Sequence, residues 1–119
     1  LMTVQAALRA GVGLITACVP ASLVPEYAAR FPEAMWSGFP DEDGGLTPAA
    51  VPMILEKAVR ATALVLGPGL GAAPANLAAT QAIVRNTNIA LLLDADALRP
   101  EIVAAAAGRP LIVTPHAGE

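Results

Sequence analysis

The sequence predicts an α/β fold built on a mainly parallel sheet. Short apolar runs at Ala63–Leu66, Ile89–Leu93 and Pro110–Thr114 alternate with stretches of helical spacing. Each run ends in glycine, aspartate or a Thr-Pro pair, and the helical stretches open on Pro48, Pro74 and Pro100. Proline suits the first turn of a helix, where its missing N–H is not needed. Uninterrupted apolar runs suit strands covered on both faces, and helices between such strands serve as right-handed crossovers.

Leu1–Ala10 places Val4, Ala7 and Leu8 at helical spacing and stops at Gly11. Gly13–Val19 reads as a strand closed by Pro20. Ser22 is positioned to cap a short helix reaching about Arg30. Phe31–Trp36 reads as a short extended piece, with Trp36 a packing anchor. Ser37–Gly45 is the one polar, flexible segment. Its acidic trio Asp41-Glu42-Asp43 lacks the spaced oxygen ligands of a calcium loop, so it reads as a solvated turn. Thr47-Pro48 starts a helix running to about Arg60, with Val51, Ile54, Leu55, Ala58 and Val59 on one face. A strand at Ala63–Leu66 follows, then Gly67-Pro68-Gly69-Leu70-Gly71 and a helix from Pro74 to about Arg85. The strand Ile89–Leu93 ends at Asp94, a helix runs from Pro100 to about Ala107 before Gly108, and the strand Pro110–Thr114 leads into Pro115–Glu119.

Composition excludes several classes of function. The chain has 119 residues, one domain's worth, of which 55% are apolar and 14% charged. A mean hydropathy of +0.60 is high for a small domain with a large surface to cover. The longest uncharged run, Ala61–Val84, is broken by three Gly and two Pro, so it is no membrane-spanning helix. A net charge of −3 and 3% aromatic residues offer neither a basic footprint nor stacking platforms for nucleic acid. The single cysteine, Cys18, lies in an apolar run and reads as a small buried hydrophobe, in a reducing, cytoplasmic compartment. The excess hydrophobicity points to an oligomer or to a part of a larger core.

In a parallel sheet the strand ends share one edge, where α/β proteins bind ligands. Here that edge collects Gly67, Gly69 and Gly71, then Asp94 and Asp96, then Thr114, His116 and Glu119. The glycines either form a plain tight turn or let a ligand approach bare backbone. Asp94 and Asp96 either cap the next turn or face the cleft, where a carboxylate accepts from a hydroxyl or holds a metal-bound water. His116, the only histidine, is a ligand donor, a proton-transfer group or a packed residue. Glu119 alone would read as frayed surface. Gly67-x-Gly69-x-x-Ala72 also matches the dinucleotide fingerprint, with Asp94 near the expected offset for a ribose acid. Pro68 within the loop and two earlier α/β units count against that Rossmann reading.

Five stretches occurring in order, Ala7–Leu14, Pro32–Met35, Val65–Gly71, Leu93–Leu98 and Leu111–Glu119, closely resemble the ADP/ATP-dependent NAD(P)H-hydrate dehydratases of the ribokinase-like superfamily. GPGLG, DADAL and TPHxGE together make the resemblance specific. Arg99 stands where the family usually has asparagine, and Ala117 where it has proline. The resemblance implies a ribokinase-like three-layer α/β/α domain. It also implies a repair reaction: NADH or NADPH hydrated on the nicotinamide ring is returned to the intact cofactor while ADP or ATP is hydrolysed. Phosphorylation of the added hydroxyl would convert it into a better leaving group. Gly67–Gly71 and His116 would then hold the hydrate, Asp94 and Asp96 would line the same cleft, and Glu119 would help organise Mg2+ and phosphates.

The family has a glycine-rich strand–loop before the region matched by residue 1. After position 119 it has the adenine-nucleotide site and a Gly-Thr-Gly-Asp motif with the proposed base. The expectation is therefore a single partial domain over residues 1–119, inactive alone, with apolar faces meant for missing strands, and a homo-oligomer as a whole. Alternatives are a small-molecule kinase of the same superfamily, against which His116 in place of asparagine argues, a Rossmann-type dinucleotide-binding module, and a subunit that only oligomerises.

Overall fold

The computed structural model describes residues 1–42 and 44–117, the Glu42 side chain excepted. Helix α1 (Met2–Arg9) and strand β1 (Thr16–Pro20) open the chain. A 3-10 turn at Ala21–Leu23 leads into α2 (Val24–Arg30), followed by β2 (Met35–Phe39). The short strands β3 (Asp41–Glu42) and β4 (Gly45–Leu46) precede a 3-10 turn at Pro48–Ala50 and α3 (Val51–Ala58). The second half contains β5 (Ala63–Leu66), α4 (Pro74–Asn86), β6 (Ala90–Leu93), α5 (Pro100–Ala105) and β7 (Leu111–Val113). Strands β5, β6 and β7 form a parallel sheet in that order, β1 and β2 form a second parallel pair, and β3 and β4 form an antiparallel hairpin. The α/β class with parallel pairing is as the sequence predicts.

Helix α4 sits between two apolar clusters. Its Ala79 and Ile83 join Phe39, Leu46, Ala50 and Ile54. Its Val84 joins Leu91, Leu93, Ala97, Ile102 and Ala106. Ile83, Leu93 and Ile102 are among the largest fully buried side chains. Burying a side chain of this size contributes about 1.5–3 kcal/mol, so these clusters fix α4 and α5 on one face of the β5–β7 sheet. The buried polar residues of α4 and its end are satisfied locally: Thr80 Oγ1 donates to Asn76 O at 2.7 Å, and Thr87 Oγ1 to Ile83 O at 3.0 Å.

Several expectations need correction. Strand β1 begins at Thr16, not Gly13, and Ser22 caps nothing: it lies in the 3-10 turn, and α2 starts with Pro25 in its first turn and no side-chain cap. Ser37–Gly45 is largely structured. Ser37–Phe39 belongs to β2, paired with β1 from Thr16↔Met35 to Pro20↔Phe39, and Asp41↔Leu46 and Glu42↔Gly45 close the hairpin. Gly38 is needed there because a Cβ would lie 2.9 Å from Ala21 Cα. The turn reading of the acidic segment holds in part, since Asp41 Oδ2 accepts from Gly44 N at 3.0 Å, whereas Asp43 lies outside the described residues. Trp36 is an anchor: its Nε1 donates to Phe31 O at 2.9 Å, and its ring centroid lies 5.5 Å from that of Tyr27. Helix α3 stops at Ala58, which leaves Val59 82% exposed instead of on the apolar face.

The expectation that the strands are covered on both faces also fails among the described residues. Leu64 and Leu66 pack on the clusters, while their alternate Val65 is 44% exposed. Val65 pairs with Leu92 and Leu92 with Ile112, which is 61% exposed, so one apolar row runs across the outer face. Among the described residues, no helix is long and apolar enough to cross a membrane.

Cys18 packs partly buried against the cluster around Phe39 and Ile83. Burial pushes its thiol up from the ordinary cysteine range, and Lys57 acts weakly the other way. Folding therefore favours the protonated thiol. Its contribution to stability is complete below the unfolded cysteine pKa and is lost as pH rises through the higher folded value. We expect Cys18 to react with a disulfide reagent at pH 8 several-fold more slowly in the folded chain than in urea; equal rates would contradict a packed thiol.

Candidate functional site: the edge formed by three strand ends

The sheet register brings the predicted site residues of three separate stretches to one edge. Leu66 pairs with Leu93, and Leu93 with Val113, so the strands end level. Asp94 N donates to Leu66 O at 3.1 Å and Thr114 N to Leu93 O at 3.2 Å, extending both pairings by one bond. Gly67, Asp94 and Thr114 thus begin three adjacent loops.

The first loop owes its shape to glycine at each odd position. Gly67, Gly69 and Gly71 have φ of +126°, +74° and +79°, a region L side chains avoid. Leu70 N closes the turn onto Gly67 O at 3.0 Å. The three glycines do different jobs. Gly67 is buried, and a Cβ on it would stand 1.6 Å from the Asp94 carbonyl oxygen, so it serves close packing of neighbouring strand ends and not approach of a ligand. At Gly69 a Cβ would meet nothing within 4 Å, and this is the open part of the loop. At Gly71 a Cβ would sit 3.0 Å from Asn76 Nδ2.

The second loop separates the two aspartates. Asp94 is the N-cap residue of the 3-10 turn Ala95–Ala97, but only its carbonyl serves the turn, accepting from Ala97 N at 3.1 Å; no side-chain bond caps it. The Asp94 carboxylate is therefore not consumed by capping. Asp96 reaches across to the first loop, and its Oδ2 accepts from Gly71 N at 3.0 Å. Between them Ala95 has φ +49°, a left-handed conformation costing an alanine roughly 1–2 kcal/mol. Strain of this kind concentrates where a loop is shaped for a task. In the third loop His116 is exposed beyond β7, and Glu119 lies outside the described residues.

Sequence reading missed Asn76. It is buried at the third position of α4, and its Nδ2 donates to Leu70 O at 2.7 Å. The available signal was a polar side chain one turn into an alanine-rich helix directly after a glycine loop.

The edge is acceptor-rich. It holds two carboxylates, and the ion pairs found among the described residues, Arg30–Glu26 and Lys57–Glu56, lie elsewhere. One loop N–H is already occupied by Asp96, and Pro68 supplies none. Such an edge suits hydroxyl and amide donors better than phosphate, which carboxylates repel. No group of three or more His, Cys, Asp or Glu side chains among the described residues is arranged to hold a metal ion. A separate shallow pocket of 230 Å³, lined by Leu55, Val59, Asn86, Thr87 and Ile89 among others, contains none of the predicted site residues.

Comparison with known proteins agrees with the strand-end motifs. A family model described as NAD(P)H-hydrate dehydratase matches residues 1–119. The chain is 37% identical over 116 residues to the ADP-dependent (S)-NAD(P)H-hydrate dehydratase of Xanthomonas campestris, covering 97% of this chain and 39% of that protein. It is 32% identical over 124 residues to the bifunctional NAD(P)H-hydrate repair enzyme of Moorella thermoacetica, covering 99% of this chain and 23% of that one. With the corresponding Salinibacter ruber enzyme it shares 33% identity over 125 residues, again 99% against 23%. The chain thus spans between a quarter and two-fifths of the length of these relatives, approximately, while nearly all of it is matched. On the match across its whole length, the chain belongs to the NAD(P)H-hydrate dehydratase family.

Proposed function

We propose that this chain is the substrate-holding part of an enzyme that dehydrates hydrated NADH or NADPH at the expense of ADP or ATP. The observation that carries the reading is the level ending of β5, β6 and β7, which sets the glycine loop, Asp94 and Asp96, and the segment bearing His116 side by side. Gly69 leaves room for a flat ring to lie on bare backbone. Asp94, its carboxylate free of the turn, accepts from a ribose or ring hydroxyl, and His116 contacts the hydrate from the third loop. Asp96 shapes the loop through Gly71.

The name of the Xanthomonas campestris relative supports ADP as co-substrate. The described residues make a poor seat for its phosphates or for Mg2+, because the Asp96 carboxylate already holds the glycine loop at Gly71 and no metal-binding group converges among them. We assign the nucleotide, the Mg2+ that Glu119 would help organise, and the base to the longer domain of which residues 1–119 form a part. The uncovered row Val65, Leu92 and Ile112 fits such a domain, as its third layer would pack there. By the same reading the working enzyme is cytoplasmic.

Calorimetric titration with hydrated NADH and with NAD tests the reading. We expect the chain to prefer the hydrate, Asp94→Asn to weaken that binding by about tenfold, which is ~1.4 kcal/mol, and no repair by the chain alone with ADP or ATP. Equal affinity for NAD would favour a dinucleotide-binding module instead, and turnover by the 119-residue chain would refute the division of labour.

A further inference from the structure

Resting on the hydrate-site reading above, we infer that Asn76 is a positioning residue, which sets the glycine loop in the shape that presents Gly69. It cannot touch the ligand itself, being only 6% exposed beneath the loop. Its Nδ2 donates to Leu70 O at 2.7 Å, and its main-chain carbonyl accepts from the fully buried Thr80 Oγ1 at 2.7 Å, so the side chain reaches the loop from a buried, hydrogen-bonded turn of α4. Leu70 packs against the cluster around Phe39 and Ile83. The loop is thus held from below at residue 70 and from across the edge at residue 71, where Asp96 Oδ2 accepts from Gly71 N. Gly69 lies immediately before these two fixed points, and a Cβ on it would meet nothing within 4 Å.

Asn76 also helps explain the glycine at position 71. The φ of +79° already disfavours a side chain, and a Cβ there would press on Asn76 Nδ2 at 3.0 Å. The amide and the glycine are one device. A buried amide donor facing a carbonyl holds geometry because leaving either group unpaired is costly. Aspartate is the informative substitute: it has the same shape, but an ionised carboxylate offers no hydrogen and repels the Leu70 carbonyl. When protonated it carries one O–H and can donate again.

The test uses the 119-residue chain labelled with 15N-glycine, reading amide-exchange protection at Gly71 and Gly69 with Gly38 in β2 as internal reference, alongside titration with hydrated NADH. Asn76→Ala is expected to lower Gly71 protection and hydrate affinity about tenfold each, leaving Gly38 unchanged. Asn76→Asp is expected to show the same losses at neutral pH and to recover both toward pH ~4–5, where burial favours the protonated acid. Mere packing would give no such recovery. Unchanged Gly71 protection in Asn76→Ala, or Asn76→Asp losses that ignore pH, would overturn the inference. So would lost protection with unaltered hydrate affinity. A wild-type chain that binds no hydrate would refute the site reading instead, with the pH dependence of Gly71 protection still deciding the role of Asn76 in the loop.

Discussion

Replacing Gly67 with alanine is expected to remove about 4 kcal/mol or more of folding stability, enough to leave much of the chain unfolded at room temperature. The new Cβ would lie 1.6 Å from the Asp94 carbonyl oxygen and 2.7 Å from its carbon, both backbone atoms with no side-chain freedom to yield. A φ of +126° adds strain for any L residue. Relief requires β5 and β6 to part at their ends, where Asp94 N donates to Leu66 O at 3.1 Å. It also requires Ala97 to move, since its Cβ would be 3.1 Å from the new atom and it is fully buried. Small domains have only about 5–15 kcal/mol in all, so the loss is large. Gly69→Ala is the matched control. Its φ is +74°, but a Cβ there meets nothing within 4 Å, so about 1–2 kcal/mol is expected. Urea denaturation followed by far-UV circular dichroism distinguishes them. If the two variants unfold at the same urea concentration, Gly67 does not act through strand packing.

The contrast between Gly67 and Gly69 shows where sequence reading stops. The glycines announce a sharp backbone path, because few other residues enter the left-handed region. They do not say whether the space freed belongs to a ligand or to a neighbouring strand; that depends on the Asp94 carbonyl, 27 residues away in sequence. Asp94 and Asp96 divide in the same manner. Their spacing puts both at a strand exit, but only the register of β5 with β6 sends Asp96 to Gly71.

The second half of the fold was legible because its strands are continuous apolar runs and its helices open on proline, both local signals. Strand β2 was not, because Ser37-Gly38 has little intrinsic strand character and owes its conformation to β1 beside it. The apolar run of β5 tells which faces tolerate burial and not which are covered. Val65 and Ile112, 44% and 61% exposed, mark that gap. The motifs identified the family while single positions within them stayed ambiguous. Each motif is a local pattern, whereas the role of a residue is set by contacts such as Asn76 to Leu70.

Arg109 carries the second large expected effect, although no motif includes it. Its Nη1 donates to Val84 O at 2.5 Å and also to Thr87 O, and Nη2 donates to Ala105 O at 3.4 Å. The guanidinium therefore joins the last carbonyls of α4 to that of α5, and does so where the dipoles of both helices end negative. Thr87 is itself buried, and Val84 is fully so, which limits water as a substitute. Hydrogen bonds from a charged donor contribute about 1.5–3 kcal/mol each, and truncation leaves carbonyls to find partial hydration. We expect Arg109→Ala to cost about 2–4 kcal/mol with an unchanged urea m-value, because the unfolded surface is the same. Arg109→Lys should recover less than half, since a single ammonium lacks the planar fork that reaches two helix ends at once. Neither substitution should alter hydrate affinity below the unfolding transition, because Arg109 precedes β7 at the edge opposite Thr114. A loss under 0.5 kcal/mol for alanine, roughly the ordinary surface value, or full rescue by lysine, would mean the guanidinium does not hold the helix ends.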